Sequence, residues 1–296
     1  MLPPPHIQNT FQKIALTASQ LVTRLQSKGL TGSDVSEAEN TISRIGYYRI
    51  LPHIRFFQEV NGNFKPGINF NEIIELYNFD RKLRLLCFDA IERIEICMRS
   101  FMIEELCVPH GPHFYIDPAH FISPYHYNNT QSIASSIKHD SITHYTNKYN
   151  YPVLPCFWAL CEGMTFGQLS KFYSGILNTH KIAISRRFGY PKDVIVSWFR
   201  AMTDFRNCCT HHNTIWNIRR NRDAPMRPRG TQAAAEFPNP MLLHARIVAV
   251  IELMKVADPH SDWKYRFINL VNAHTNLISE ADMGLTNGWR QRPYWQ

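Results

Sequence analysis

The 296-residue sequence predicts an all-α protein, and two observations lead to this fold class. Apolar residues recur at steps of three and four, which places them on one face of a helix, whereas the alternating pattern of a strand is scarce. Residues 68–108 contain neither glycine nor proline, the residues that most disfavour a helix interior. We divide the chain into an N-terminal helical region at 1–66 and a helical domain at 67–296, or alternatively one continuous domain with an exposed loop at 220–240.

Two short helices are predicted in the N-terminal region. Residues 17–28 carry apolar side chains at helical spacing, and Gly29 follows as a C-cap residue. Ser33 and Asp34 can each cap the start of a second helix, which ends near residue 45. The flanking segments are a proline-rich lead-in at 1–10, an aromatic junction at 46–49, and a loop or short hairpin at 52–67.

The segment 68–108 predicts either one long helix or two successive helices, since 41 residues exceed the usual length of a helix. An apolar stripe at steps of three and four consists of Leu83, Leu86, Ala90, Ile91, Ile94, Cys97, Met98 and Phe101. On the other faces, acidic residues stand four positions before basic ones, an orientation that stabilises a helix. These pairs are Asp80–Arg84, Asp89–Arg93 and Glu95–Arg99.

Shorter helices and glycine- or proline-rich connections are predicted for the rest of the chain. The helices are placed at 132–147, from 156 to about 160, and at 169–177, 193–210, 241–256 and 263–278. The connections are a long segment at 109–130, a turn at 163–167 and a loop at 220–240.

The net charge of +8 comes from one segment of the chain. Residues 181–230 contain eleven Lys and Arg against three Asp and Glu, whereas the remaining residues contain 21 of each sign. A local excess of this kind indicates a binding site for a polyanion rather than a general aid to solubility.

Composition excludes several other classes of protein. With 44% apolar residues the chain is not disordered, and its seven cysteines form no CxxC pair, which favours a reducing compartment over a disulfide framework. The apolar stretch 242–257 contains charged residues and is too short to span a membrane. The N-terminus also lacks the pattern of a signal peptide, so we expect a cytoplasmic protein with no membrane partner.

The middle of the basic segment carries the side chains best suited to chemistry, namely Arg206, Asn207, His211 and His212. RNA cleavage without a metal requires a base for the ribose 2′-hydroxyl, an acid for the leaving 5′-oxygen and a cation for the phosphate. Histidine can serve as base or acid near neutral pH, and the arginine fork matches phosphate oxygens.

The spacing within this motif adds a geometric condition. On an ideal helix Arg206 and His211 are about 140° apart. They converge only if the helix ends or bends between them, or if a second copy of the motif faces the first. The alternative interpretation is a hydrogen-bonded surface cluster without catalysis.

Residues 206–211 fit a pattern of Arg, a polar residue, a gap of three to five residues, and His; His212 and the run Ile215-Trp216-Asn217 continue it. Four more blocks follow a matching order, at 44–49, at 77–84 with 90–95, at 154–155 with 166–170, and at 283–285 with 289. Together they resemble the D/F-like branch of the abortive-infection (Abi) family of bacterial phage-defence proteins, within the HEPN ribonuclease superfamily. Cys208-Cys209-Thr210 departs from the more usual apolar-Cys-Ala at gap positions.

The resemblance implies an all-α, HEPN-like helical bundle with additional N-terminal helices and a homodimer with paired motifs in one cleft. It implies a metal-independent endoribonuclease that needs no cofactor. His211 would act as general base or acid, Arg206 would hold the phosphate, and Asn207 and His212 would orient them. It further implies toxin-like action restrained by a partner, for which a small RNA is one candidate.

RNA is therefore the expected partner, as substrate and as a possible regulator. The residues assigned to RNA binding are the basic residues Arg186, Arg187, Arg219, Arg220 and Arg222, and the aromatic residues Tyr47, Tyr48 and Trp216. Core packing is the favoured alternative for each aromatic residue, because buried area dominates aromatic energetics. A non-catalytic RNA-binding module that holds a regulatory small RNA is the alternative function.

Two other clusters are assigned no chemistry. The loop that contains His110, His113, His120 and His126 has only Asp117 as a nearby carboxylate, so we expect a polar loop and no metal site. Cys208 and Cys209 lie beside His211, but no substrate signature accompanies them, which favours packing residues over a thiol nucleophile.

Overall fold

The computed structural model describes residues 13–32 and 34–296, and the fold is all-α as predicted. The helices are α1 (Ala18–Gln26), α2 (Val35–Ile45), α3 (Tyr47–Phe56), α4 (Phe70–His110), α5 (Pro124–Ser136), α6 (Asp140–Lys148), α7 (Phe157–Gly163), α8 (Phe166–Gly175), α9 (Asn178–Arg187), α10 (Lys192–Thr210), α11 (Leu243–Ala257), α12 (Trp263–Asn272) and α13 (Glu280–Met283). Short 3-10 helices lie at Phe114–Ile116, Pro118–His120, Gln232–Glu236 and Trp289–Gln291. Extended pairing in the described residues is limited to isolated bridges.

The chain divides into two compact units, residues 1–78 and 79–296. The sequence-based boundary at 66/67 precedes α4, whereas the observed division falls inside that helix. The predicted lead-in at 1–10 and the candidate cap Ser33 lie outside the described residues; Asp34 caps α2 by accepting the N–H of Glu37 at 3.1 Å.

Helix α4 is a single helix of 41 residues, the first of the two predicted alternatives. Five of the eight residues of its apolar stripe are buried, and of these Leu83, Ala90, Ile94 and Met98 have no exposed surface. The three predicted i,i+4 ion pairs are all present. This continuous element supplies one wall of the region around residues 206–216.

Several elements differ from the sequence prediction, and three of the differences concern whole helices. Helix α3 continues through Pro52, where a loop was expected, because Ile50 and Ile54 bury one face of it. The predicted helix 132–147 is two helices, α5 and α6, separated at residues 137–139. Helix α9 was not predicted, because three of its four buried residues are polar and it lacks the apolar period on which such predictions rest.

Helix α10 carries the predicted motif and packs against α8, α9 and α11. Its inner face is apolar and fully buried, with Ile195, Trp198, Phe199, Met202 and Phe205 at its centre. Helix α11 is buried from Leu243 to Met254, the property of a helix surrounded by core. None of the described helices has both the length and the hydropathy needed to cross a bilayer.

Candidate functional site

Helix α10 ends inside the motif, with Thr210 as its last residue and His211 at its C-cap. The N–H of Asn213 donates to the carbonyl of Cys208 at 2.9 Å, and the N–H of His212 donates to that of Cys209 at 3.2 Å. These two bonds form a complete Schellman motif, which satisfies carbonyls that the helix end would otherwise leave without partners. The backbone that carries the two histidines is therefore fixed by the helix itself.

His212 occupies the left-handed position of this motif, with φ of +57°. Glycine is the usual residue there, because a side chain in left-handed backbone costs about 1 kcal/mol. Residues with strained backbone are concentrated at functional sites, where the function of the side chain outweighs the conformational cost. His212 shares this conformation with one other non-glycine residue of the described chain, Asp223 at φ of +58°.

The segment after the motif is held by a buried carboxylate on α4. Asp80 accepts the backbone N–H groups of Ile215 and Trp216 at 3.0 and 2.9 Å, and it forms an ion pair with Arg84. Arg84 in turn donates to the carbonyl of Asn213 at 3.2 Å. We call Asp80 and Arg84 the α4 clamp, because together they fix both sides of the turn that follows His212.

The burial of the α4 clamp differs from the prediction, which has Asp80–Arg84 among the ion pairs on the faces other than the apolar stripe. Asp80 has no exposed surface, and Arg84 is 5% exposed. The spacing of the residues indicates this burial, because positions 80 and 84 each stand three residues before a buried apolar residue, Leu83 and Cys87 respectively, and therefore lie on the same face of the helix. Charged side chains on a buried stripe indicate a satisfied polar network rather than a surface pair.

Arg206 and Asn207, although adjacent, open onto different cavities. Arg206 lines a cavity of about 650 Å³ that also contains Glu92, Glu95 and Glu162; we call it the acidic cavity. Asn207 lines a cavity of about 430 Å³, the basic cavity, whose charged residues are Lys171, Arg200, Arg220, Arg222, Asp204 and Asp223. The structure therefore brings Asn207 to a predominantly cationic surface and turns Arg206 away from it.

The guanidinium of Arg206 is partly unsatisfied. Its Nε is buried and has no hydrogen-bond partner among the described residues. Arg99, in the same cavity, is by contrast bonded to Glu95 and to the carbonyls of Cys161 and Met164. A buried donor without a partner costs about 1–3 kcal/mol, so the position of the Arg206 guanidinium is a locally unfavourable one.

His211 and His212 are both exposed at the end of α10. His211 follows Asn207 by four residues, a spacing that places two residues on nearly the same side of a helix, and Asn207 lines the basic cavity. The helix ends at Thr210, between Arg206 and His211, which is one of the conditions that the spacing sets for their convergence.

The basic residues assigned to RNA binding fall into two groups. Arg186 and Arg219 are exposed, Arg220 pairs with Asp204 at 2.6 Å beside the basic cavity, and the side chain of Arg222 is 96% exposed. Arg187 is instead enclosed by carboxylates of Glu104 and Glu105 at 2.9 and 3.0 Å, and it stacks on Phe101. These hydrogen bonds raise the pKa of Arg187, which stays charged, but the two carboxylates offset that charge and occupy its donors, which makes it a poor phosphate ligand.

The aromatic residues assigned to RNA binding also differ from one another. Tyr48 is 80% exposed and Tyr47 is half-buried, both at the start of α3. Trp216 is fully buried beside the backbone held by Asp80, so its ring offers no face to a base. The assignment of Trp216 to stacking is corrected accordingly, and core packing, the favoured alternative, describes it.

The cysteines of the motif are buried, as expected of packing residues. Burial raises the pKa of the Cys209 thiol to about 12 and that of Cys208 in the same direction. Because the thiolate is the nucleophilic form, neither cysteine is suited to covalent catalysis near neutral pH.

The histidine-rich loop is not a single cluster. His113 contacts the hydroxyl of Tyr145 at 3.1 Å, and His126 lies against Gly175. His110 and His120, however, converge with His180 of α9, a residue that the sequence analysis did not consider because α9 itself was not predicted. Among the described residues, this is the group of imidazoles that could hold a metal ion.

Comparison with known proteins adds one result. A family model described as Abi-like protein matches residues 40–217, which include α3, α4, the whole of α10, the histidines and the backbone held by Asp80. No curated protein and no solved structure matches the sequence. Because the matched region is more than half of the chain, the protein belongs to the Abi-like family.

Proposed function

We propose that this Abi-like protein acts in abortive infection as a metal-independent endoribonuclease of the HEPN superfamily. Its family suggests the abortive-infection role. The observation that carries the catalytic part is the construction of the α10 end. There a Schellman turn with a left-handed His212, closed by the α4 clamp, carries two exposed histidines directly after the helix whose Asn207 lines the basic cavity.

In this mechanism, His211 acts as general base or acid at the ribose 2′-hydroxyl or the leaving 5′-oxygen. Arg206 stabilises the charge that develops on the phosphate, and Asn207 and His212 orient the reacting groups. Attack of the 2′-oxygen on phosphorus releases the 5′-oxygen, which takes up a proton. The products are a 2′,3′-cyclic phosphate, or a 3′-phosphate after hydrolysis, and a 5′-hydroxyl.

The basic cavity supplies the binding surface for RNA. Four cationic side chains and two carboxylates surround it, and Asn207 lies at its edge. Phosphate contacts of this kind give affinity that is independent of sequence and falls with salt. The cavity thus leads the RNA backbone toward the exposed end of α10.

A homodimer would complete the site. Ideal helical spacing places Arg206 and His211 about 140° apart, and Arg206 lines the acidic cavity whereas Asn207 lines the basic one, so a second copy would bring an arginine of one chain to a histidine of the other. The surface of α4 near the acidic cavity supports such a contact, since Leu85 and Ile96 are 56% and 59% exposed there. A partner that covers this surface or the α10 end would restrain the toxin-like activity.

The alternative is a non-catalytic module that holds a regulatory small RNA in the cytoplasm. The three glutamates around Arg206 favour it, because they repel a phosphate in an isolated chain.

Cleavage of labelled RNA in EDTA distinguishes the two functions. We expect wild type and His260→Ala, which changes an exposed histidine elsewhere, to cleave alike, and His211→Ala and Arg206→Ala to bind RNA without cleaving it. Binding without cleavage by all four proteins would favour the alternative.

A further inference from the structure

Three imidazoles from three separate elements lie close together near the end of α4 and the start of α9. His110 is the last residue of α4, His120 ends the 3-10 helix Pro118–His120, and His180 lies in the first turn of α9. One ring nitrogen from each lies within 4.8 Å of the others, and Nδ1 of His120 is 2.9 Å from Nε2 of His180.

The arrangement of the rings matches that of a three-histidine metal centre. The distances between ring centroids are 4.9, 4.8 and 5.1 Å, so the three rings form a nearly regular triangle. Around a tetrahedral zinc ion with zinc–nitrogen bonds of about 2.0–2.1 Å, neighbouring imidazole centroids are about 5 Å apart. Small side-chain rotations would bring the three nitrogens to one ion without a change in the backbone.

The backbone holds two of the three ligands in place. The N–H of Leu177 donates to the carbonyl of His120 at 3.0 Å, and the N–H of Ile122 donates to that of Gly175 at 3.0 Å. Both bonds tie the loop that carries His120 to the residues just before α9. Because His180 is in the first turn of α9, the spacing between these two imidazoles is fixed before any ion binds.

The surroundings favour a metal that prefers nitrogen. Asp117, the nearby carboxylate, is occupied in capping the 3-10 helix, where it accepts the N–H of Ala119 at 2.8 Å. Three imidazoles without a carboxylate ligand suit zinc and similar transition metals rather than magnesium or calcium. His180 is buried and His110 is exposed, so a fourth coordination position would face solvent and take a water molecule.

The protonation state is compatible with this assignment. Burial lowers the pKa of His180 to about 4, and it lowers the pKa of His120 in the same direction. Both imidazoles are therefore neutral near pH 7, which is the form that binds a metal.

We propose that His110, His120 and His180 bind one zinc ion, or a chemically similar divalent transition metal, that joins the end of α4 to the start of α9. The site is separate from the α10 end, and the RNA cleavage proposed above does not pass through it. The sequence alone led to the opposite expectation for this loop.

Titration of the untagged, full-length protein with Zn²⁺ after removal of bound metals tests this site by calorimetry. We expect one zinc ion per chain for wild type and for the control His260→Ala. His110→Ala, an exposed position where folding is least at risk, should weaken binding by at least about tenfold. Co²⁺ in place of Zn²⁺ should give the visible absorption of a four-coordinate ion in wild type and lose it in His110→Ala.

The site would be disproved by wild-type protein that binds no stoichiometric zinc, or by His110→Ala that binds it as tightly as wild type. These outcomes are distinguishable from failure of the proposed function. If zinc binds as expected but RNA is not cleaved, only the catalytic proposal fails. If RNA is cleaved in EDTA by a protein that never binds zinc, only the metal site fails.

Discussion

The carboxylate of Asp80 accepts the backbone N–H of Trp216 at 2.9 Å, and this bond joins the first third of the longest described helix to the segment just after the two motif histidines. The same oxygen accepts the N–H of Ile215, while the other oxygen pairs with Arg84. Both side chains are buried. The position of the histidines therefore depends on a buried ion pair that contains no residue of the motif.

We expect Asp80→Asn to destabilise the protein strongly, because it leaves the buried guanidinium of Arg84 without a counter-charge. Removing one partner of a buried ion pair costs about 3–5 kcal/mol. Urea unfolding followed by circular dichroism measures the change. Asp262→Asn, which alters a mostly exposed carboxylate paired with Arg266, is the matched control and should cost no more than about 0.5 kcal/mol.

A second variant separates the charge from the shape of this site. Asp80→Asn combined with Arg84→Met removes both charges, so we expect it to recover about half of the stability that Asp80→Asn loses. A double variant that is less stable than the single one would show that Arg84 does not depend on Asp80. The hydrogen bond from Arg84 to Asn213 would then be its main contribution.

His212→Gly and His212→Ala should have different stabilities but the same loss of cleavage. Both remove the imidazole, but only glycine relieves the left-handed backbone at φ of +57°. We therefore expect His212→Gly to be more stable than His212→Ala by about 1 kcal/mol, measured by thermal unfolding. Equal stabilities would mean that the turn relaxes out of the left-handed region, and the argument from strain would fail.

The sequence predicts some of these features and not others, for physical reasons. Helices α4 and α10 are predictable because their apolar periods are long and uninterrupted, and both match the structure closely. Helix α9 is not, because His180, Lys181 and Ser185 bury polar side chains at positions where a periodicity argument requires apolar ones. The proposed metal site was not predictable for the same reason, since one of its three proposed ligands, His180, lies on α9.

The site itself was only partly predictable. The residues of the motif and the end of its helix follow from the sequence, whereas the separation of Arg206 and Asn207 into two cavities depends on which helices pack beside α10. Trp216 shows the limit of composition-based assignment, because an aromatic residue in a basic segment can belong to the core.

Cys209→Ala should leave RNA cleavage within about twofold of wild type, because the buried thiol is protonated near neutral pH and takes no part in the reaction. The variant should cost about 1 kcal/mol of stability, since it removes a small buried side chain. Cleavage assays at a temperature well below unfolding separate the two effects. A loss of cleavage similar to that of His211→Ala would instead support Cys209 as a nucleophile.

The salt dependence of RNA binding should distinguish the two groups of arginines. Each phosphate contact that is lost should lower the slope of log K against log salt by about 0.7 for single-stranded RNA. Replacing Arg219, Arg220 and Arg222 together with glutamine should therefore weaken binding and reduce the slope, without changing the cleavage products.

Arg187→Gln is the matched control. Because the carboxylates of Glu104 and Glu105 already pair with Arg187, the slope of log K against log salt for Arg187→Gln should equal that of wild type. If Arg187→Gln lowers the slope as much as the triple variant does, the basic cavity is not the route by which RNA reaches α10.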